Sequence, residues 1–409
     1  MGAHRERLRS GGRWSGGRLV ARAAAVAGIA VIAAGSLAGT ASAATGARAA
    51  VGARAAVTPP ATATVAEGYA HTCAIRTDGS LWCWGSNWSG QLGDGTGVSR
   101  TTPVRVGTGT WTAVDAGSSF TCAIRTDATL WCWGYNQRGQ LGDGTTTNRV
   151  SPVQVAPGTT WGTVSAGDSH TCAIRTDGTL WCWGFNRLAQ LGTDTSVYYS
   201  TTPRQVDATT TWSGVTTGYG HTCATRTDGT LWCWGDSSSG QLGVGVLSYK
   251  TSPTQVGTGT TWAALAAGSA FTCATRTDGT LWCWGENGYG QLGASGSYQT
   301  TPVQVGGVTT WSGISAGAST ACGVRSGGTL WCWGNDTAGQ LGDGTTTPGY
   351  APAQVGSATS WTGGVGVNYH TCAFRTDATL WCWGNNGNGQ LGDGTTTTRS
   401  VPTQVSFPG

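Results

Sequence analysis

Fourteen cysteines carry the clearest chemical signal in this chain. They form seven pairs: Cys73 with Cys83, Cys122 with Cys132, Cys172 with Cys182, Cys223 with Cys233, Cys273 with Cys283, Cys322 with Cys332 and Cys372 with Cys382, each spaced C-x9-C. Successive pairs recur every 49 to 51 residues. Zinc sites place two to four residues between paired cysteines, so this spacing does not suit a metal. An even count with none left over reads as seven disulfides made in an oxidising compartment.

The other reactive side chains follow the same repeat. His71, His170, His221 and His370 stand two residues before a first Cys, where other copies have Phe120, Phe271 and Thr320. A place that accepts Phe is a packing position, not a ligand. Gly167-Asp168-Ser169-His170 looks like a hydrolase string, yet the same places elsewhere read Gly-Ser-Ser-Phe or Gly-Ala-Ser-Thr. No catalytic triad is expected there. Lys250 is the only lysine and no GxxxxGK loop is present, which excludes lysine chemistry and Walker-type nucleotide hydrolysis. Beyond residue 61 the only glutamates are Glu67 and Glu286, so a glycosidase would depend on Asp. Asp94, Asp143, Asp343 and Asp393 sit in GDGT loops and read as turn formers, not calcium ligands. The expectation is no catalytic residue, no cofactor and no metal. Arg76, Arg125, Arg175, Arg226, Arg276, Arg325 and Arg375 each follow a first Cys by three residues, on the face of the WxW tryptophans. Guanidinium stacked on indole is their expected role.

The elements that position these residues are strands. In HTCAIRTDGTLWCWG, His170 to Gly184, two alternating runs flank Asp177-Gly178, a hairpin turn signal. A three-residue loop with Gly178 left-handed pairs Arg175 with Thr179, Ile174 with Leu180, Ala173 with Trp181 and Cys172 with Cys182. Opposed cysteines on adjacent strands are within disulfide reach. Both faces of the hairpin carry bulk, so both are expected to be covered. A third strand is expected over Trp161 to Gly167 and a fourth over Pro152 to Val155, before a short turn. Four strands repeated seven times, with Gly-rich connections, give an all-β, seven-bladed propeller of antiparallel blades. The first unit has no PxxV strand before it and the last has none after it. Pro402 to Val405 is therefore expected beside Thr62 to Gly68, with chain start and end sharing one blade.

Charge separates the chain into parts. Residues 1–43 hold six arginines, an Ala-rich apolar run and the small residues Ala41, Ser42 and Ala43, the layout of a secretory signal peptide cleaved before Ala44. An uncleaved anchor is the alternative. Residues 44–61, with GARAAV twice and then Pro59-Pro60, read as a tether. The formal charge of the chain is +4, but residues 62–409 hold 15 cations against 18 acids. The part expected to fold is slightly acidic, which argues against nucleic acid as a partner.

The unit HTCAIRTDGTLWCWGxNxxGQLGDGT, with GQLG at Gly90, Gly139, Gly240, Gly290, Gly339 and Gly389 and Ala189 replacing the glycine in the third copy, resembles the regulator-of-chromosome-condensation repeat family over residues 62–405. The paired cysteines resemble a secreted bacterial variant. The resemblance implies a seven-bladed propeller. It also brings the founder's activity, guanine-nucleotide exchange on a small GTPase with chromatin binding, and a bacterial precedent of secreted β-lactamase inhibition. Export and the acidic balance argue against the first, and the target of the second does not carry over. The GWRHT string of a plant photoreceptor with this fold is missing, the sites reading Gly68-Tyr69-Ala70-His71-Thr72 or Gly167-Asp168-Ser169-His170-Thr171.

Where the copies differ, function has room. Between GQLG and the next Pro, units three to six carry Tyr198, Tyr199, Tyr249, Tyr298 and Tyr350, whereas units seven, one and two carry Arg399, Arg100 and Arg149. A second variable set follows WG: Trp88, Tyr135, Arg138, Phe185, Arg187 and Tyr289. Tyr, Trp and Arg are the residue types of interface hot spots. The expectation is a secreted, monomeric, non-enzymatic binding protein with an aromatic and a basic sector, taking a protein partner or, alternatively, cell-wall polysaccharide. Membrane contact is expected only through the leader.

Overall fold

The computed structural model describes residues 63–193, 195–294 and 296–408. The expected signal peptide (1–43), its cleavage point and the tether (44–61) lie outside the described residues.

Alternation sets the hairpin, and the turn fixes its register. Strands His170–Arg175 and Leu180–Phe185 pair with Cys172 opposite Cys182, Ala173 opposite Trp181 and Ile174 opposite Leu180, as expected. Gly178 has φ +84°, its amide donating to Arg175 O at 2.9 Å. Asp177 Oδ1 accepts from the amide and hydroxyl of Thr179, which locks the loop.

The hairpin recurs in every unit, and each of the expected cysteine pairs is a disulfide within it. Cys73 is bonded to Cys83, Cys122 to Cys132, Cys172 to Cys182 and Cys223 to Cys233. Cys273 is bonded to Cys283, Cys322 to Cys332 and Cys372 to Cys382, which leaves no free cysteine. Each bridge joins residues directly opposite in the ladder, as at Cys73 and Cys83, Cys223 and Cys233, Cys273 and Cys283, and Cys322 and Cys332.

Twenty-eight strands make seven four-stranded antiparallel sheets, with no helix among the described residues. Blades 1 to 7 span 64–105, 111–154, 161–205, 212–255, 262–304, 311–354 and 361–405, each ordered first to fourth strand along the chain. First strands of neighbouring blades touch around a central cavity, so they are innermost and the fourth strands form the rim. Antiparallel order places the first-to-second turns and the long third-to-fourth loops on one side, the loop face. The Asp-Gly hairpin turns and the blade-to-blade connections occupy the opposite turn face.

The core lies between blades. One side of each central hairpin offers Cys and Leu with Ile, Thr, Val or Phe, and the other offers Trp with Ala, or with Gly323 in blade 6. Between blades 2 and 3, Cys122, Ile124, Leu130 and Cys132 pack on Trp161, Ala173 and Trp183. Full burial of each large side chain contributes roughly 1.5 to 3 kcal/mol, and the interface recurs around the ring. Six of the seven arginines stack on indole as expected: Arg125 Cζ lies 5.0 Å from the Trp111 ring and 4.0 Å from that of Trp131, whereas Arg76 stacks on a phenylalanine, Phe407.

The shared closing blade is corrected. Arg399–Val405 pairs within blade 7, Cys382 opposite Thr403 and Leu380 opposite Val405, while Thr64–Glu67 pairs with His71–Ile75. The fourth strand returns across the GQLG loop to the free edge of the third, as when Cys132 pairs with Val153. It therefore completes the blade that precedes the short turn, and it runs Arg149–Gln154, longer than Pro152 to Val155. Closure uses side chains instead. Trp84 Nε1 donates to Gln390 O at 2.9 Å, repeating the bonds of Trp133 to Gln91 and Trp183 to Gln140. The first unit has no leading Trp, its sequence there being Ala61-Thr62-Ala63, and Phe407 supplies the missing ring. It meets Trp82 and Trp84 edge-on at 5.9 and 6.0 Å, with Arg76 Cζ 5.3 Å from its centroid.

Candidate docking face

Five of the seven long loops are held from inside by one asparagine, with Ser237 and Asp336 at its place in blades 4 and 6. Asn87 Nδ2 donates to Asp94 Oδ1, Thr96 O and Val98 O, and Asn87 Oδ1 accepts from Leu92 N. Asp94 Oδ1 also accepts from the amide and hydroxyl of Thr96. Burial alone would raise the Asp94 carboxyl, but Thr96, Arg100 and Asn87 hold it below the usual carboxylate range. These loops are built scaffolds with buried cores. Their variable residues are displayed at fixed positions.

The structure separates the two expected sectors. Arg100, Arg149 and Arg399 pair with Asp94, Asp143 and Asp393 of their own loops at 3.0, 2.7 and 2.9 Å. The basic sector thus carries paired charge. The aromatic positions stand open: Trp88 is 82% and Tyr249 62% exposed, and Tyr198, Tyr199, Tyr289, Tyr298 and Tyr350 are exposed too. Tyr135 is half-buried, while Arg138 and Arg187 are exposed. Arg138 Cζ lies 5.1 Å from the Phe185 ring and 5.9 Å from that of Tyr198, and the two rings meet edge-on at 5.5 Å. Blade 2 and blade 3 loops are joined there by an aromatic–guanidinium cluster.

A second group was not singled out by sequence. Tyr69, Tyr219 and Tyr369 occupy the first-to-second turns, which the topology gathers at the mouth of the central cavity. Tyr69 and Tyr369 rings lie 4.7 Å apart. Burial, then the neighbouring Tyr69 and Tyr289, raise the Tyr369 hydroxyl above its ordinary range. For Tyr69 and Tyr219 the signal lay in the residue after the turn glycine, which varies among copies, whereas Tyr369 follows Asn368 in a turn without that glycine. The nine exposed aromatics among the described residues, Tyr69 and Tyr219 included, all lie on the loop face or the rim beside it.

The hydrolase string has no hydrolase geometry. Ser169 Oγ donates to Asp168 at 2.8 Å, and His170 Nε2 bonds Thr222 Oγ1 of blade 4 at 2.9 Å. His170 is fully buried, which lowers its pKa to about 3. Its analogues His71, His221 and His370 likewise bond a Thr of the next blade. These are packing and hydrogen-bonding positions.

Fold and face together define a seven-bladed repeat propeller, with variable loops over a repeated core. The chain belongs to the RCC1-like family: residues 159–409 match the RCC1-like domain. Residues 78–124 and 127–174 match the Regulator of chromosome condensation (RCC1) repeat, as do 63–91 and 111–140 in a second repeat model. Human WBSCR16 is similar in structure, with TM-score 0.72 and 20% identity, covering 81% of this chain and 94% of that one. Yeast RCC1 (Prp20) bound to Kap60 aligns with TM-score 0.72 and 20% identity over 80% of this chain and 83% of its own. Prp20p of Saccharomyces cerevisiae, described with its binding to Gsp1p and histones, aligns with TM-score 0.65 and 19% identity over 72% and 76%. At these identities the likeness is one of fold. No curated protein matches by sequence.

Proposed function

We propose that this protein is a secreted, non-enzymatic binding module whose loop face docks a protein partner. One observation carries the reading: the nine aromatic side chains exposed among the described residues gather on the loop-face side, whereas the turn face offers short Thr, Gly and Asp turns. Large rigid aromatics displayed on a preformed frame are the anchors from which protein interfaces are made. Export is supported by the seven disulfides, which persist in oxidising surroundings. Prp20p, a structural relative, binds proteins. The partner here is identified by experiment.

The oxidised domain, residues 62–409, is used to capture partners from culture supernatant, beside a sedimentation assay with cell-wall polysaccharide. A specific protein retained by the domain, lost with Tyr198→Ala plus Tyr249→Ala and kept with Thr258→Arg on the turn face, supports the reading. Retention of polysaccharide alone replaces it with the carbohydrate alternative. Stimulated GDP release from a small GTPase, with neither form of binding, overturns it in favour of exchange activity.

A further inference from the structure

The central cavity, about 480 Å³, is walled by the first strands of all seven blades and opens among Tyr69, Tyr219 and Tyr369. Tyr69 is 55% and Tyr219 58% exposed, so their rings are available to a ligand. Three acids line the same cavity: Asp168 in a mouth turn, and Glu67 and Asp115 on the walls. No Lys, Arg or His is among its lining residues, so within the described residues the cavity holds acid with no counter-cation. In three of the long loops the acid does have a counter-cation, Asp94 with Arg100, Asp143 with Arg149 and Asp393 with Arg399.

Glu67 marks the site independently. It is 7% exposed, and neither carboxyl oxygen has a well-formed hydrogen bond, the backbone of Cys372 offering only a weak one. From blade 2 to blade 5, first strands are tied by side-chain acceptors: Asp115 accepts from Ala166 N at 2.8 Å, Ser165 from Thr217 N at 3.1 Å and Thr216 from Ala267 N at 3.1 Å. Blade 7 has Gly366 at that place, and the Glu67 carboxyl fills the space a side chain there would take. Repeat packing does not require a carboxyl at this joint. A buried polar group so poorly partnered costs stability, so its presence asks for a function.

We infer that the cavity mouth binds an alkylammonium group, specifically a lysine side chain offered by the macromolecule that docks on the loop face. Tyrosine π-faces and carboxylates attract the same cation, the rings by their quadrupole and the acids by charge. A divalent metal is disfavoured, because no cluster of three or more His, Cys, Asp or Glu is found among the described residues. The inference rests on the docking reading for the source of the lysine, but a small amine tests it separately.

The test is calorimetric titration of the oxidised domain with N-acetyl-lysine amide, its uncharged isostere N-acetyl-norleucine amide, and a neutral disaccharide. Binding of the lysine derivative alone is expected. Asp168→Asn, at the exposed mouth, is expected to weaken it about tenfold, and Tyr69→Leu by a similar factor. Asp115→Asn is the wall variant, with Asp168→Asn keeping the test open if Asp115→Asn does not fold. Affinity is also expected to rise from pH 5 to pH 7.5: burial holds the Asp115 carboxyl up to about 6, against hydrogen bonds from Ala166 N, Ala116 N and Ser165, with Glu67 facing it from blade 1. Equal binding of the norleucine derivative, preference for the disaccharide, or no binding of the lysine derivative overturns the proposal. A protein captured normally by Asp168→Asn and Tyr69→Leu would leave docking intact and remove only the lysine site.

Discussion

Trp84 Nε1 donates to Gln390 O at 2.9 Å although 306 residues of chain separate them. The same carbonyl accepts from Thr72 Oγ1 at 2.7 Å, and Thr72 in turn lies 2.7 Å from His370 Nε2. With the Thr72 proton given to Gln390, His370 must donate from Nε2, which fixes its tautomer. Blade 7 is fastened to blade 1 by this contact.

The fastening depends on close approach by Gly392. Its φ is +71°, and a Cβ there would lie 2.6 Å from Trp84 Nε1. Gly392→Ala is expected to destabilise by roughly 3 kcal/mol or more, from the left-handed backbone plus the clash. Gly394→Ala, φ +81° with its nearest neighbour at 3.9 Å, carries only the backbone part, about 1 to 2 kcal/mol. Urea unfolding of the two variants checks this; equal losses would refute the steric account.

Phe407 replaces the missing first-unit Trp from the far end of the chain. Phe407→Ala is expected to cost about 1 to 2 kcal/mol, less than a fully buried Phe because its side chain is half-buried. Hydrogen exchange should quicken first in Thr64–Glu67 and His71–Ile75. Protection unchanged in those strands would show that the ring is closed without it.

Acid should unfold the protein through its buried histidines. Burial lowers His71, His170 and His370 to about 3 and His221 to about 4 from 6.5. Folded values below the unfolded one mean stability that is whole above pH 6.5 and lost as pH falls toward 3. At pH 5 the loss is ~2 kcal/mol for each histidine. Replacing all four by Phe, as Phe120 and Phe271 do naturally, should remove most of the drop in melting temperature between pH 7.5 and 5. A variant that loses as much as the parent would locate the acid sensitivity elsewhere.

Two hairpins carry Ala where the others have Gly. Ala128 and Ala378 sit at φ 64° and 62° in the turn. Ala128→Gly and Ala378→Gly should each stabilise by about 1 kcal/mol by relieving the left-handed strain. Thermal melts of the double variant, expected to rise, decide it.

How much of this was legible in the sequence follows from the range of each interaction. Cys172 opposite Cys182 was readable because alternation and a three-residue turn fix a register locally. The same local rule holds for Cys83, Cys233, Cys283 and Cys332, each found opposite its expected partner. The place of Val153 was not legible: the short turn before Trp161 resembles a hairpin, and the true partner, Cys132, lies across the whole GQLG loop. The ion pair of Arg149 with Asp143 was not legible, because a contact inside a long loop obeys no strand or helix period. Tyr198 and Tyr249 were found as variable loop residues. Tyr69, Tyr219 and Glu67 were missed, because only the ring brings seven first strands around one cavity.

Blade 7 and blade 1 share no strand, and their joint repeats the tryptophan-to-carbonyl bond of the other blades with Phe407 in place of the leading Trp. A circular permutant could join Phe407 through a short linker to the start of blade 1 and be cut anew at the turn-face connection between Val256 and Trp262. Such a chain should fold to the same ring, with its ends moved a chosen number of blades around it, so a fused domain could be mounted beside any loop on the docking face.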